Sequence, residues 1–251
     1  MVMFSGGVGS WAAARRVAAK HGTDNLVLLF ADTLIEDEDL YRFVEEAAAD
    51  VGGRLVRICE GRTPWQVFRD ERYIGNTRAD PCSKLLKREL LRKWVRDNTN
   101  GRDASIYLGI DWTEEHRYVA SRDRWLPWPC YAPLCEAPFL SKVQLLKEAE
   151  AAGLRVPRLY SFGFPHNNCG GFCIKAGQAH FKRLLEVMPE RYAMHEKAEL
   201  ELGAHLGKTV TILRDRRGGR TRPLSLKELR ERVEAGGPVD KFEWGGCGCV
   251  A

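Results

Sequence analysis

The first 110 residues alternate short apolar runs with stretches whose apolar positions repeat at helical spacing. Continuous runs such as LVLLFA (26–31) are typical of strands that a parallel sheet buries on both faces. The alanine-rich and amphipathic stretches between these runs predict helices. Alternation of strand and helix predicts an α/β fold with a doubly wound, mostly parallel sheet. Strands are predicted at 1–4, 26–31, 54–59 and 104–110, and helices at 10–21, 38–51 and 83–97.

The second half of the chain has a helical pattern. Capping-box pairs, in which Ser precedes Gln or Glu by three residues, begin two helices at Ser141 and Ser225. We therefore divide the chain into an α/β domain (1–140) and a C-terminal helical, cysteine-containing extension (141–251). Within the extension, helices are predicted at 141–152, 174–187, 190–206 and from 225 onward, with a connection rich in Pro, Gly and aromatic residues at 157–173.

Composition narrows the class of protein. With 251 residues, of which 44% are hydrophobic, the chain can form a substantial core. No apolar run reaches the roughly 18 residues of a membrane span, and no secretory leader is recognisable, so we expect a cytoplasmic protein without a membrane partner. The chain has eight cysteines, and in a reducing compartment these do not predict a disulfide framework. Metal binding, thiol chemistry or simple burial remain for them.

The charge is uneven along the chain. The formal net charge is +5, a mild excess that suits anionic partners. Residues 208–232 contain three acidic residues and a concentration of basic ones. This segment is either a solvated surface or a contact for the phosphate backbone of a nucleic acid. Its basic residues are Lys208, Arg214, Arg216, Arg217, Arg220, Arg222, Lys227, Arg230 and Arg232.

The segment SGGVGS (5–10) lies between the first predicted strand and the first predicted helix. Glycines allow a sharp turn and let backbone N–H groups converge on an oxygen-rich ligand. The helix that follows directs its positive end to the same place. The hydroxyls of Ser5 and Ser10 can add donors. The segment is neither a Walker A loop nor GxGxxG. It predicts an anion site of another kind, with an ordinary glycine turn as the alternative.

Together with later segments, this loop resembles the SGGxxS pyrophosphate loop of the PP-loop superfamily. That superfamily includes the ATP pyrophosphatases and the adenylylsulfate and phosphoadenylylsulfate reductases. The segment DTLIED (32–37) is most similar to the corresponding segment of the sulfur-incorporation enzymes of DNA phosphorothioation. The resemblance covers about residues 3–175 and implies an adenine nucleotide alpha hydrolase-like fold. After the loop it continues through FADTLIEDEDLYRFVEE (30–46), DPCSKLLKREL (80–90), YLGIDWTEEHR (107–117) and RLYSFGFPHNNCGGFC (158–173).

The resemblance implies that the loop binds the phosphates of ATP or of an adenylylsulfate-type nucleotide. The end of the second strand would border the nucleoside. A Mg²⁺ ion is an open question, since many relatives have Asp where this chain has Gly9. The reductases usually have Arg where it has Asp111. The implied nucleotide-binding residues are Ser5, Gly6, Gly7, Gly9, Ser10, Asp32, Thr33 and Gly109.

Three cysteines lie in segments that hold cluster ligands in the iron–sulfur members of the superfamily. These are Cys82, Cys169 and Cys173, and they imply a 4Fe-4S cluster. Zinc binding and plain thiols are the alternatives. Cys59 ends an apolar strand and is expected in the core, while His166 is either structural or a ligand. A fourth cluster ligand, if there is one, would come from Cys130, Cys135, Cys247 or Cys249.

The C-terminal GGCGCV resembles, by position, the mobile tail that carries the nucleophilic cysteine of phosphoadenylylsulfate reductases. Cys247 and Cys249 are therefore candidate catalytic thiols. The leading hypothesis is an ATP-dependent sulfurtransferase, which adenylates an acceptor and then inserts sulfur. The alternatives are an adenylylsulfate or phosphoadenylylsulfate reductase and a non-catalytic, basic nucleic-acid-binding module. The partners considered are a tRNA or DNA acceptor at 208–232, a sulfur donor, a thioredoxin-like reductant and a second copy of the chain.

Overall fold

The computed structural model describes residues 1–74, 79–101 and 103–246. Its centre is a five-stranded sheet of order β3-β2-β1-β4-β5, in which all neighbouring strands are parallel. The α/β class and the parallel sheet are thus confirmed. The strands are β1 (Val2–Met3), β2 (Val27–Asp32), β3 (Arg54–Cys59), β4 (Ile106–Leu108) and β5 (Cys130–Tyr131), and a separate antiparallel pair consists of β6 (Leu213–Asp215) and β7 (Arg222–Leu224).

Helices make the connections between the strands and form most of the second half. The run from Pro81 to Asn98 is continuous, but its middle, Lys84–Glu89, is a π-helix. None of the described helices is long and apolar enough to cross a bilayer. The α-helices are α1 (Val8–His21), α2 (Glu38–Val51), α3 (Pro64–Asp70), α4 (Pro81–Ser83), α5 (Leu90–Asn98), α6 (Glu115–Arg122), α7 (Lys142–Ala151), α8 (Arg158–Ser161), α9 (Gln178–Val187), α10 (Pro189–Leu206) and α11 (Leu226–Glu234).

Alternate residues of the sheet enter two different cores. Val2 and Phe4 pack with α1, α2 and α7, whereas Met3 packs with α5 and with residues of β4 and β5. This separation follows from the period of two in a strand, which directs successive side chains to opposite faces. Because helices cover both faces, the central strands β1 and β2 are buried on both sides, as in a doubly wound sheet.

A third core joins the C-terminal helices. Phe172, Phe181 and Tyr192 are fully buried there with residues of α11, and Phe68 of α3 contributes from the first half of the chain. By contrast, α7 packs against α1 and its Leu145 belongs to the first core. The division of the chain at residue 140 stays a prediction.

Several elements match their predicted bounds, and one prediction about the core is wrong. The predicted helix 38–51 and strand 54–59 have these bounds in the structure. Cys59, expected in the core, is exposed. It ends β3, which is an edge strand with a mostly exposed or half-buried pattern. An apolar run does not reveal whether its strand lies at the edge or in the centre of a sheet.

Candidate functional site

The strand order reverses at β1, whose neighbours β2 and β4 continue the sheet in opposite directions. In open α/β sheets the crevice at the carboxyl ends of such strands is the usual ligand site. The loop after β1 and the loop after β4 meet there and line a pocket of about 960 Å³ that opens to solvent. Ser5, Gly7 and Gly9 line it from one side, and Gly109 and Asp111 from the other. The predicted phosphate loop therefore borders this pocket.

Position 6 requires glycine because of its backbone conformation and because of its close neighbour. Gly6 has a φ of 77°, and a Cβ atom there would lie 2.8 Å from the Cγ of Leu40.

Gly7 precedes α1 as its N-cap residue and provides no side-chain cap. N–H groups of the first turn have no partners within a helix. Among them, the backbone N–H of Val8 donates to the hydroxyl of Tyr160 at 3.3 Å. The positive end of α1 therefore faces the pocket.

Gly9 and Gly109 allow the two loops to touch. A Cβ atom on Gly9 would lie 3.0 Å from the carbonyl oxygen of Gly109. A side chain at position 9 would therefore press on the backbone that follows β4. This contact accounts physically for a glycine at position 9.

The predicted nucleotide residues are not all directed at the pocket. Ser5 is exposed and lines it, but the hydroxyl of Ser10 donates to the carbonyl oxygen of Gly7 at 2.8 Å. The carboxylate of Asp32 accepts hydrogen bonds from Leu34 N–H and the Tyr41 hydroxyl, and pairs with Arg57. Burial raises the pKa of Asp32, but these donors outweigh it and the pKa is lowered.

The second strand meets the pocket through apolar residues instead. Leu29 and Ala31 of β2 line it. Thr33 is buried, and its hydroxyl donates to Glu36 at 2.9 Å. In this structure the polar groups of Asp32 and Thr33 organise the turn after β2 rather than the pocket wall.

Three cationic side chains that were not among the predicted site residues line the pocket. Lys87 comes from the π-helix, Arg117 from α6 and Lys142 from α7. π-helical turns are rare and occur frequently at functional sites. A signal for two of these residues was present, because the quoted segments KLLKREL and YLGIDWTEEHR contain Lys87 and Arg117.

Arg117 has a donor that is still available. One of its terminal nitrogens pairs with Glu114, but its buried Nε has no hydrogen-bond partner in the described part of the chain. A buried donor without a partner costs about 1–3 kcal/mol. Lys142 donates to the carbonyl oxygen of Pro165 at 3.3 Å, which leaves most of its donors to solvent or ligand. An anion in the pocket would satisfy both side chains.

The segment before the cysteine loop closes another side of the pocket. Asn167 is almost fully buried and donates from Nδ2 to the carbonyl oxygen of Gly6 at 2.8 Å. Its Oδ1 has no partner in the described residues. Next to it, His166 also lines the pocket, and burial lowers its pKa to about 4. His166 is therefore neutral at pH 7.

A buried carboxylate links the pocket to the cysteine loop. Glu36 lies 3.5 Å from the Nζ of Lys87 and accepts a hydrogen bond from the backbone N–H of Cys169. Cys169 has a φ of 53°, which is uncommon for a residue with a side chain. Glu36 therefore connects a cation of the pocket with the strained residue at the start of CGGFC.

The predicted cluster ligands are near one core but do not form a ready-made metal site. Cys82, Cys169 and Cys173 are half-buried and pack against the third core. Within residues 1–74, 79–101 and 103–246, no three or more His, Cys, Asp or Glu side chains are grouped to hold a metal ion. The described residues therefore do not fit a preformed cluster site.

The other cysteines divide into two groups. Burial raises the pKa of Cys130 to about 12 and that of Cys135 to about 11, so both are protonated thiols at pH 7. The two candidate catalytic thiols, Cys247 and Cys249, lie outside the described residues.

The described part of the tail docks beside the cysteine loop. The N–H of Gly246 donates to the carbonyl oxygen of Lys175 at 3.3 Å, and the N–H of Gly177 donates to Trp244 at 3.1 Å. This contact requires glycine at position 177, because a Cβ atom there would lie only 2.1 Å from the carbonyl oxygen of Glu243. Residues 243–246 are thereby held on the segment that follows Cys173.

Most basic side chains of the segment 208–232 form ion pairs within the protein. Asp215 is almost fully buried and pairs with three of its arginines, which hold the pKa of that carboxyl far below its usual range. In the part of the chain that is described, Lys208, Arg214 and Arg220 are the basic residues of this segment without an ion pair. The paired ones are Arg216, Arg217, Arg222, Lys227, Arg230 and Arg232.

The pocket thus combines an uncapped helix start, three cations and unpartnered polar atoms at the switch point of a parallel sheet. A scan of the chain against models of known protein families finds no match. A search of curated proteins finds no significant match either. The chemistry of these residues is therefore the basis for a functional conclusion.

Proposed function

We propose that this chain is an adenine-nucleotide-dependent enzyme of sulfur chemistry that activates an acceptor with ATP and then replaces the activated oxygen with sulfur. One structural feature carries the proposal. The SGGVGS loop, the positive end of α1 and the cations Lys87, Arg117 and Lys142 converge on one pocket at the switch point. Such a set of donors suits a chain of phosphates. The adenine, ATP and sulfur parts of the proposal come from the PP-loop resemblance.

The residues of the pocket have distinct tasks in this reaction. The N–H groups at the start of α1 bind phosphate oxygens, because they have no partners within the helix. Arg117 and Lys142 stabilise the negative charge that develops on pyrophosphate as it leaves. Asn167 holds the loop in place through the carbonyl oxygen of Gly6. The apolar residues Leu29 and Ala31 provide a surface for the nucleoside.

The proposed reaction has two steps. An oxygen of the acceptor attacks the α-phosphorus of ATP, the bond to the β-phosphate oxygen breaks, and pyrophosphate leaves. A sulfur nucleophile then attacks the acceptor atom that carries the adenylated oxygen, and AMP leaves with that oxygen. The CGGFC loop begins next to the pocket, because Asn168, the residue before it, lines the pocket. Its two cysteines, Cys169 and Cys173, are the candidate sulfur carriers of this proposal.

The products of ATP test this function. The purified chain is incubated with ATP and with candidate acceptors, and nucleotides are separated by chromatography. We expect AMP and pyrophosphate to appear only with a suitable acceptor and a sulfur donor. Arg117→Met is expected to slow their formation, while Arg122→Met, an exposed residue of the same helix, leaves it unchanged. Release of ADP and phosphate, or no nucleotide binding at all, would contradict the proposal.

One observation favours a second candidate, the reduction of adenylylsulfate or phosphoadenylylsulfate. The tail up to Gly246 docks on residues 175–177, beside the cysteine loop. In this reaction a tail thiolate attacks the sulfur of the nucleotide, and the nucleoside phosphate leaves. A thioredoxin-like dithiol then releases sulfite. Sulfite formed from adenylylsulfate without ATP, and lost in Cys247→Ser or Cys249→Ser, would favour this candidate over the first.

A further inference from the structure

A second pocket opens on the other side of the helical run that carries Lys87. It has a volume of about 850 Å³ including open solvent, and it lies between residues 84–92 and residues 121–125. Four basic side chains line it, against one acidic side chain, Glu89. We call this pocket the basic groove. Its basic residues are Lys84, Arg88, Arg92 and Arg124.

Two of these four charges are already balanced. Arg88 forms a double hydrogen bond with the buried carboxylate of Asp80, at 2.8 and 3.1 Å. Lys84 lies 3.5 Å from Glu89, and both side chains are exposed. The groove is therefore not simply a cluster of cations, and its excess charge must come from the remaining two arginines.

Arg92 and Arg124 supply that excess. Arg92 donates to the carbonyl oxygen of Leu126 at 2.9 Å and lies over the ring of Trp128, contacts that position the guanidinium without neutralising it. Arg124 is exposed and makes no hydrogen bond or ion pair with the described residues. A guanidinium has five donors in a planar fork that matches phosphate oxygens. The groove therefore offers two arginines with donors available to an anion.

The basic groove lies next to the pocket at the switch point, which we call the nucleotide pocket. Lys87 and Leu91 line the nucleotide pocket, and they belong to the same helical run as Lys84, Arg88 and Arg92. On the opposite wall, Arg117 lines the nucleotide pocket, and Ser121, one helical turn later, lines the groove. The same two helical segments thus form walls of both pockets. A strand bound in the groove would therefore lie along segments that also line the nucleotide pocket.

We propose that the basic groove binds the phosphodiester backbone of a nucleic-acid strand, which presents the acceptor to the nucleotide pocket. The identification of the strand as acceptor rests on the proposed function, whereas its binding does not. The groove is open to solvent along residues 84–92, which suits a polymer better than a small anion, since a closed pocket would hold a small anion more tightly. The segment 208–232 is the weaker alternative, because most of its basic residues are paired within the protein.

Oligonucleotide binding tests this site. Fluorescence anisotropy is measured with a 20-nucleotide single-stranded DNA and with RNA of the same sequence, at 50 and 200 mM salt. We expect Arg92→Glu/Arg124→Glu to weaken binding by roughly tenfold or more and to make the salt dependence shallower, since fewer counterions are released. Arg124→Glu alone changes an exposed side chain that forms no hydrogen bond or ion pair with the described residues, and should weaken binding by a few fold. The matched control is Lys208→Glu/Arg220→Glu, which changes the net charge equally in the other basic segment and should leave binding within about twofold.

The outcomes separate the groove from the proposed function, because ATP binding is measured on the same proteins. Equal effects of the groove and control pairs, or a larger effect of the control pair, would overturn the groove. Wild-type protein that binds ATP but neither strand would also overturn it and leave the proposed function standing. Wild-type protein that binds a strand through the groove but binds no nucleotide supports the groove and contradicts the function. A preference for RNA or for DNA supports the groove and identifies the source of the phosphodiester.

Discussion

Gly109 and Ser10 approach each other so closely that a Cβ atom on Gly109 would lie 2.6 Å from the Cα of Ser10. The contact joins the loop after β4 to the first turn of α1, two segments almost 100 residues apart in sequence. Both neighbours are backbone, so neither can rotate away. The close approach of the two loops that line the pocket therefore depends on the absence of a side chain at position 109.

We expect Gly109→Ala to distort this junction. Overpacking of a well-packed contact costs about 1–3 kcal/mol of unfolding free energy. Because the displaced atoms form the phosphate loop, the affinity for ATP should fall by roughly tenfold or more, which corresponds to about 1.4 kcal/mol. Denaturant unfolding and a calorimetric ATP titration measure the two effects. The control is Gly246→Ala, where a Cβ atom meets nothing within 4 Å. ATP affinity unchanged in a folded Gly109→Ala protein would contradict the assigned site.

Removal of the guanidinium of Arg117 should affect ligand binding more than stability. In Arg117→Met the unpartnered Nε is lost, and the apolar stem is retained. Since hydrogen bonds to charged groups contribute about 1.5–3 kcal/mol, the affinity for ATP should fall by roughly 10- to 100-fold. The free energy of unfolding should change little, because a buried donor without a partner disappears as well. A large loss of stability with unchanged ATP affinity would show that Arg117 has a structural role only.

The predicted 4Fe-4S cluster is tested by the metal content of protein purified without oxygen. If the prediction holds, the protein is brown, contains iron and acid-labile sulfide, and loses both in Cys169→Ala and Cys173→Ala. Cys59→Ala is the matched control, because Cys59 is exposed on the edge strand. Iron-free protein with full activity would remove the cluster from the mechanism, and stoichiometric zinc would indicate a structural metal instead.

Glu199 should make the stability of the C-terminal part depend on pH. Its carboxylate is almost fully buried in α10 and accepts hydrogen bonds from the N–H groups of Ile212 (2.8 Å) and Leu226 (2.7 Å). Burial raises the pKa of Glu199 from 4.5 to about 7, and the two hydrogen bonds oppose this only in part. The folded state thus binds more protons than the unfolded state between these pH values. The contribution of Glu199 to the free energy of unfolding is therefore present in full below about pH 4.5 and is lost as the pH rises to about 7.

The size of this effect is on the order of 3 kcal/mol, since each pKa unit corresponds to about 1.4 kcal/mol. Urea unfolding at a series of pH values measures it. Glu199→Gln should flatten the pH dependence in that range, although it loses one of the two acceptors. Glu201→Gln, on the same helix but exposed, should leave the slope as in the wild type. The same slope in Glu199→Gln and wild type would show that Glu199 does not titrate in this range.

Local patterns in the sequence are sufficient to predict elements that are stabilised by residues close together in the chain. The helix α2 was predicted with its bounds because its apolar stripe and its following Gly52 act within the helix itself. The capping boxes at Ser141 and Ser225 are present as predicted, since they involve residues three positions apart. The position of the glycine loop, between a strand and a helix, likewise follows from adjacent residues.

Other features depend on which distant residues meet, and only the tertiary structure decided them. Asp32 could face the pocket or the sheet, and the neighbouring strand supplies Arg57, which holds it away from the pocket. Arg230 could bind phosphate, but the fold places Glu196 of α10 at 2.9 Å from it. Lys142 belongs to no motif in the sequence. It reaches the pocket because α7 packs on α1. Local propensity acts over one or two helical turns, whereas the charge and exposure of a side chain are set by partners that the fold brings from far along the chain.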